Sequence, residues 1–252
     1  MMHLRTALAA ILLSLPVPAW ATTVADYDSC TALARSDPAR AAKEAALWAK
    51  AGGGAAALHC KALALVAENK LTSGGAAFMA AAAAMTGAPA EDRASVYDQA
   101  GNTYLLAGKD AEALKSFTAG LRLAPSDTTL LTDRARAYQL QKKWKESGRD
   151  LDAALAENPN LVDALTLRSA AFMGLEILTP ALIDANRALD LAPHNLQALL
   201  QRGLILEQQR DVAGARKDYE TVIQFAAQSG RKDDPAALAA KTYLARLQTL
   251  SQ

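Results

Sequence analysis

The chain has 252 residues, 51% of them hydrophobic and 5% aromatic, with 27 basic against 26 acidic side chains. That length and apolar share suffice for one or two packed domains. The near-even charge offers no basic stripe of the kind that grips nucleic acid, and no block of like charge that would serve as an interaction tail.

Residues 1–21 have the layout of an export signal. Arg5 is the single fully charged side chain, residues 7–17 are apolar apart from Ser14 and Pro16, and Ala19-Trp20-Ala21 supplies small residues where a signal peptidase reads. A membrane anchor is the weaker reading, because a spanning helix needs about 20 apolar residues and Pro16 and Pro18 interrupt this run. Cleavage after Ala21 is therefore expected, giving a periplasmic or secreted protein with no stable membrane insertion. Loss of Arg5 with the leader leaves 26 basic against 26 acidic residues. Tyr27-Asp28-Ser29 before Cys30 is not a lipobox, so no lipid anchor is expected.

Cys30 and Cys60 are the only cysteines. In an oxidising compartment an even count points to a disulfide, worth roughly 3–4 kcal/mol for a loop of this length in the chain-entropy account. Two free buried thiols are the alternative. Helices are expected over 25–35, 38–50, 55–68 and 75–85, since alanine-rich stretches favour helix. Ser36-Asp37-Pro38, Gly52-Gly53-Gly54 and Gly87-Ala88-Pro89 mark the breaks between them. Residues 22–93 thus form two irregular helix pairs, with the cysteines joining the first helix to the third.

From residue 94 the chain repeats itself. Pro125, Pro159 and Pro193 are 34 apart, as are Arg134, Arg168 and Arg202, and Asp150, Asp184 and Asp218. Tyr104, Tyr138, Phe172 and Leu206 keep the same interval, as do the small residues Gly101, Ala135, Ser169 and Gly203. A fixed period of this size is the mark of a stacked helical array.

The pattern resembles the tetratricopeptide-repeat (TPR) family, whose unit has small residues near positions 8 and 20, aromatics at 11 and 24, Ala at 27 and Pro at 32. Segments 94–127, 128–161, 162–195 and 196–229 fit it. Pro180 departs, and its helix is expected to start late or bend; Ala227 replaces the usual Pro, so that helix should run on toward Gly230. A capping helix is expected over 234–251. The resemblance implies an all-α, right-handed superhelix (an α-α solenoid) with 22–93 as degenerate N-terminal repeats. Each hairpin leaves an apolar face for its neighbour to cover.

The recurring charges read as structure. Pairing Arg134 with Asp150, Arg168 with Asp184 and Arg202 with Asp218 leaves no orphan, and the first repeat lacks both partners, with Ala100 and Ser116 in their places. No catalytic pattern appears: no metal-ligand spacing, nucleophile elbow or phosphate loop. His3 leaves with the leader. His59 beside Cys60 suggests a thiol site less than a helix residue beside a structural cysteine. His194 is expected in a solvated loop, and Trp144 is expected to pack.

The resemblance implies a concave face lined by the first helix of each repeat, here Asp98, Asn102, Thr132, Arg136, Gln139, Thr166, Met173, Leu200 and Leu204. Some family members hold a chaperone's terminal carboxylate with Lys, Asn and Arg. Here only Asn102 matches; Asp98, Asp133, Asp163 and Leu167 occupy the other positions, so that clamp is not expected. The function expected is a non-catalytic scaffold or adaptor in the bacterial periplasm that binds protein partners on the concave face, without cofactor or metal. A solenoid binding peptides or cell-wall fragments is the alternative.

Overall fold

The computed structural model describes Val24 and residues 26–249; the leader expected over 1–21 lies outside the described residues. Those residues form thirteen α-helices: α1 (Tyr27–Ser36), α2 (Pro38–Trp48), α3 (Gly54–Ala67), α4 (Leu71–Ala84), α5 (Ala90–Leu106), α6 (Asp110–Leu121), α7 (Thr128–Leu140), α8 (Trp144–Glu157), α9 (Val162–Gly174), α10 (Leu178–Leu191), α11 (Leu196–Gln208), α12 (Val212–Gln228) and α13 (Pro235–Thr249). Each packs on the next, and first helices also touch across hairpins, α5 with α7, α7 with α9 and α9 with α11. This is a helical solenoid, with α13 laid on α12 and α11 at its end.

Local chemistry sets the helix starts. Asp26 and Ser29 form a reciprocal capping box on α1, and Asp37 caps α2 with Pro38 in its first turn. Asp127, Asn195 and Asp211 accept from the first backbone amides of α7, α11 and α12. The hairpin turns also share one device. Asn69, Gly108, Lys142, Glu176 and Arg210 all have φ between 55° and 70°. The residue after each donates its N–H to a carbonyl five residues back, as in Lys143 to Tyr138 and Ile177 to Phe172. The left-handed residue ends one helix and turns the chain into the next.

Packing explains the small residues. A side chain at Gly101 would overlap the Phe117 ring, and one at Gly203 would stand 2.5 Å from the Tyr219 ring. Phe117 and Tyr219 are fully buried between their paired helices. Trp144 packs over Gly174, where an added Cβ would meet the indole at 2.5 Å.

Three expectations change. α4 begins at Leu71, and Gly75 lies within it because the Tyr104 ring sits where a Cβ would be, 2.9 Å away. Pro180 neither delays nor breaks α10, which starts at Leu178; a proline in the first turn lacks only an N–H that has no helical partner. The expected break at Gly52-Gly53-Gly54 is a wide turn over Ala49–Gly53, kinked at Gly52 (φ 98°). Where Pro is absent, α12 does run on to Gln228.

Cys30 of α1 and Cys60 of α3 form a disulfide with their Cα atoms 6.1 Å apart, and both are fully buried. The arginines sit against the aspartates of their own hairpins: Arg134 and Asp150 at 2.7 Å, Arg168 and Asp184 at 2.7 Å, Arg202 and Asp218 at 2.7 Å. Each also reaches back, through Nη1, to the residue sixteen positions earlier on the preceding hairpin: Thr118, Asp152 and Asn186. The arginines therefore tie hairpins to one another as well as closing them.

Candidate partner-binding groove

Cavities run along the odd-numbered helices, the first members of the hairpins. One of about 470 Å³ brings together Arg136 and Gln139 of α7, Thr166 of α9, and Gln197 and Gln201 of α11. A smaller one of about 160 Å³ joins it through Arg136 and Asp163, with Thr132 on its wall. A third, of about 340 Å³, lies between Met173, Leu204 and Arg246.

Several groove residues hold one another. Gln139 donates to the Leu167 carbonyl at 2.7 Å and to the Ser147 hydroxyl at 3.0 Å, linking α7 to α9 and α8. Gln201 leans on the Met173 sulfur at 3.6 Å. The hydroxyls of Thr132 and Thr166 donate back to their own helices, at Thr128 and Val162. Leu200 is 6% exposed and belongs to the core, and Thr132 and Thr166 are also buried, so these three offer a partner little surface.

Asp98 and Asn102 form a separate cluster with Asp133. The Asn102 amide donates to Asp98 Oδ2 at 3.0 Å and to Asp133 Oδ2 at 2.7 Å. Arg136 pairs with the other side of Asp133. Burial, with the Asp133 charge beside it, pushes the Asp98 carboxyl up to about 7, and its Oδ1 is buried without a hydrogen-bond partner. The one residue matching the carboxylate clamp thus already serves two acids, and an incoming carboxylate would face both.

The sequence reading missed the groove's N-terminal end. His59 stands eight residues before the end of α3, as do Asp98 in α5, Thr132 in α7, Thr166 in α9 and Leu200 in α11. It therefore occupies a groove register. Its Nδ1 meets the Tyr27 hydroxyl at 2.9 Å and its Nε2 meets Gln99 Oε1 at 3.0 Å. Both contacts are satisfied when the tyrosine donates and Nε2 carries the proton. Burial lowers the imidazole pKa. Beside it lies a cavity of about 430 Å³ whose walls come from α1, α3 and α5, with Met85 at the end of α4. Counting back from the hairpin turn, rather than from the periodic prolines, would have found it.

The architecture defines a class: a solenoid of antiparallel helix pairs with a groove along the first helices. No protein-family model matches the chain. The C-terminal part of a TPR repeat-containing protein from Cytophaga hutchinsonii superimposes with a TM-score of 0.64 at 14% identity, over 90% of this chain and 89% of that one. MamA from Desulfovibrio magneticus RS-1 gives 0.59 at 18% identity, over 69% and 96%. In sequence, RNA polymerase II-associated protein 3 of Homo sapiens is 36% identical over 106 residues, 42% of this chain. The match spans about one sixth, 16%, of that protein's length. By repeat and fold, the chain is similar to tetratricopeptide-repeat proteins.

Proposed function

We propose that this protein is a non-catalytic interaction scaffold of the bacterial periplasm that takes segments of partner proteins in the groove along its first helices. The observation that carries the reading is the succession of cavities from α1 to α13 along the odd-numbered helices, the first walled also by Met85 at the end of α4. An extended segment or a helix fits such a surface. The export-signal pattern supports the periplasm, and so does the buried disulfide, a bond that persists in oxidising compartments. No helix among the described residues is long and apolar enough to cross a membrane.

The test is affinity capture of the mature protein from envelope extract after mild crosslinking, beside an Arg136→Ala, Gln197→Ala variant. Gln197 is exposed and Arg136 partly so, and neither change adds an acid beside Asp133. A defined set of proteins captured by the parent and lost by the variant is expected. Capture that survives the variant would remove the groove from the reading. Loss of capture to competing cell-wall fragments would favour a ligand-binding solenoid.

A further inference from the structure

The cavity at the N-terminal end of the groove has a chemistry distinct from the rest. Ala55, Ala56, Met85 and Val96 give it apolar walls. Its polar lining is the Asp92 carboxylate, the Ser95 hydroxyl, Tyr27 and His59. His59 is the one lining group able to carry positive charge. Burial disfavours its imidazolium, and both ring nitrogens are engaged, by Tyr27 and Gln99. Asp92 is exposed in the first turn of α5, and Tyr27 is 37% exposed.

The charge continues along the same face. Asp98 and Asp133 share the Asn102 amide, and Asp98 Oδ1 has no hydrogen-bond partner. Asp163 follows on α9. Arg136 is the one basic residue on the walls of the two cavities around α7 and α9, and the cavity beside His59 has no lysine or arginine; Arg231 and Arg246 line those at the α13 end. Arg136 is already engaged by Asp133.

The geometry points to a basic segment as the partner: a chain whose lysine or arginine lays its stem against Ala56, Met85 and Val96, with its charge at Asp92 and the Tyr27 ring, while a second basic residue reaches the exposed Asp163 beside Asp133. This rests on the groove reading and names the chemistry of its occupant. Long basic side chains combine an apolar stem with a charged end, and the exposed tyrosine ring is attractive to a cation. An acidic segment would meet Asp92, Asp133 and Asp163 in turn.

The probes are acetylated, amidated, dye-labelled decapeptides of alternating Ala and X, where X is Lys, Arg, norleucine or Glu, read by fluorescence polarisation at moderate salt. Norleucine keeps the lysine stem and removes its charge. The Lys and Arg peptides are expected to bind at least about tenfold more tightly than the norleucine peptide, and the Glu peptide not at all. Asp92→Asn should weaken the Lys peptide about fivefold and leave the norleucine peptide unchanged. Ser95→Lys, an exposed position on the cavity wall, should weaken the Lys peptide more than the norleucine peptide by repulsion; circular dichroism confirms that both variants are folded. Asp233→Asn, exposed and before α13, should change nothing. Equal binding of Lys and norleucine peptides, Lys binding indifferent to Asp92→Asn and Ser95→Lys, or no binding by any peptide overturns the proposal. Groove-dependent capture from envelope extract alongside any of those results would leave the groove standing and remove its basic occupant.

Discussion

Arg168 holds Asp184 with two parallel hydrogen bonds, Nε to Oδ2 at 2.7 Å and Nη2 to Oδ1 at 2.9 Å. The aspartate side chain is 8% exposed and the arginine 23%. The remaining Nη1 reaches Asp152 on the hairpin before. Removing one partner strands a largely desolvated charge, which costs more than the pair contributes. Asp184→Ala should destabilise by about 2–3 kcal/mol, whereas an Arg168→Leu, Asp184→Leu double variant should lose less than that. Urea unfolding of the parent and both variants checks the order.

Gly101 and Phe117 set how closely α5 and α6 approach. A methyl group at position 101 overlaps the buried ring, and the ring has nowhere to go between the paired helices. Gly101→Ala should cost about 1–3 kcal/mol through overpacking, despite the better helix propensity of alanine. Gly148→Ala is the control: it also lies within a helix, and nothing stands within 4 Å of its added Cβ. That change should be neutral or stabilising in thermal unfolding.

What the sequence makes legible is what repeats. Arg168 and Asp184 recur with the period, so their pairing follows from counting. The contact to Asp152 was as periodic, since Thr118, Asp152 and Asn186 are also 34 apart, but Thr, Asp and Asn share only the ability to accept a hydrogen bond. Thr132, Thr166 and Leu200 share a groove register in the pattern, yet all three are buried, because neighbouring first helices pack against one another. The His59 cavity was hidden for another reason. α3 and α5 end 39 residues apart rather than 34, chiefly because α5 has 17 residues where α7, α9 and α11 have 13. Fixed counting from the later repeats therefore misses the groove register of α3. Asp98 and Asp133 are 35 apart, on neighbouring first helices, and only the superhelical stacking brings their carboxyls to one amide.

The disulfide ties α1 to α3 at the start of the described solenoid. Both cysteines are fully buried, packed with Val24 and Ala45, so replacement removes a covalent tie and leaves a small void. Cys30→Ala with Cys60→Ala should cost roughly 3–4 kcal/mol in the chain-entropy account. The loss should be local, because solenoid stability is a sum over neighbouring units. Hydrogen exchange is expected to rise in α1 and α2 and to remain at parental values in α7 to α12. Equal acceleration along the whole chain would show that the array unfolds as one unit.

Asp98 makes stability depend on pH in an unusual direction for a carboxylate. Its folded pKa is raised from 3.8 to about 7, chiefly by burial and then by the Asp133 charge. The folded state therefore binds the proton more tightly than the unfolded chain does. The contribution of this group is complete below about pH 4 and is lost as pH rises toward 7. Asp98→Asn keeps an oxygen for the Asn102 amide and removes the titration. The variant should match the parent at pH 4 and exceed it at pH 8 by about 1–2 kcal/mol, a figure reduced from the full linkage value because the side chain is partly exposed. Burial lowers the pKa of His59 and acts at the other end of the range: its contribution is present above about pH 6.5 and is lost as pH falls through its lowered folded pKa. That acid-side loss is common to parent and variant, so the difference between their melting temperatures isolates Asp98. A difference that is flat from pH 4 to 8 would mean that the Asp98 carboxyl titrates as it does in the unfolded chain, and that Asp133 exerts no net pressure on it.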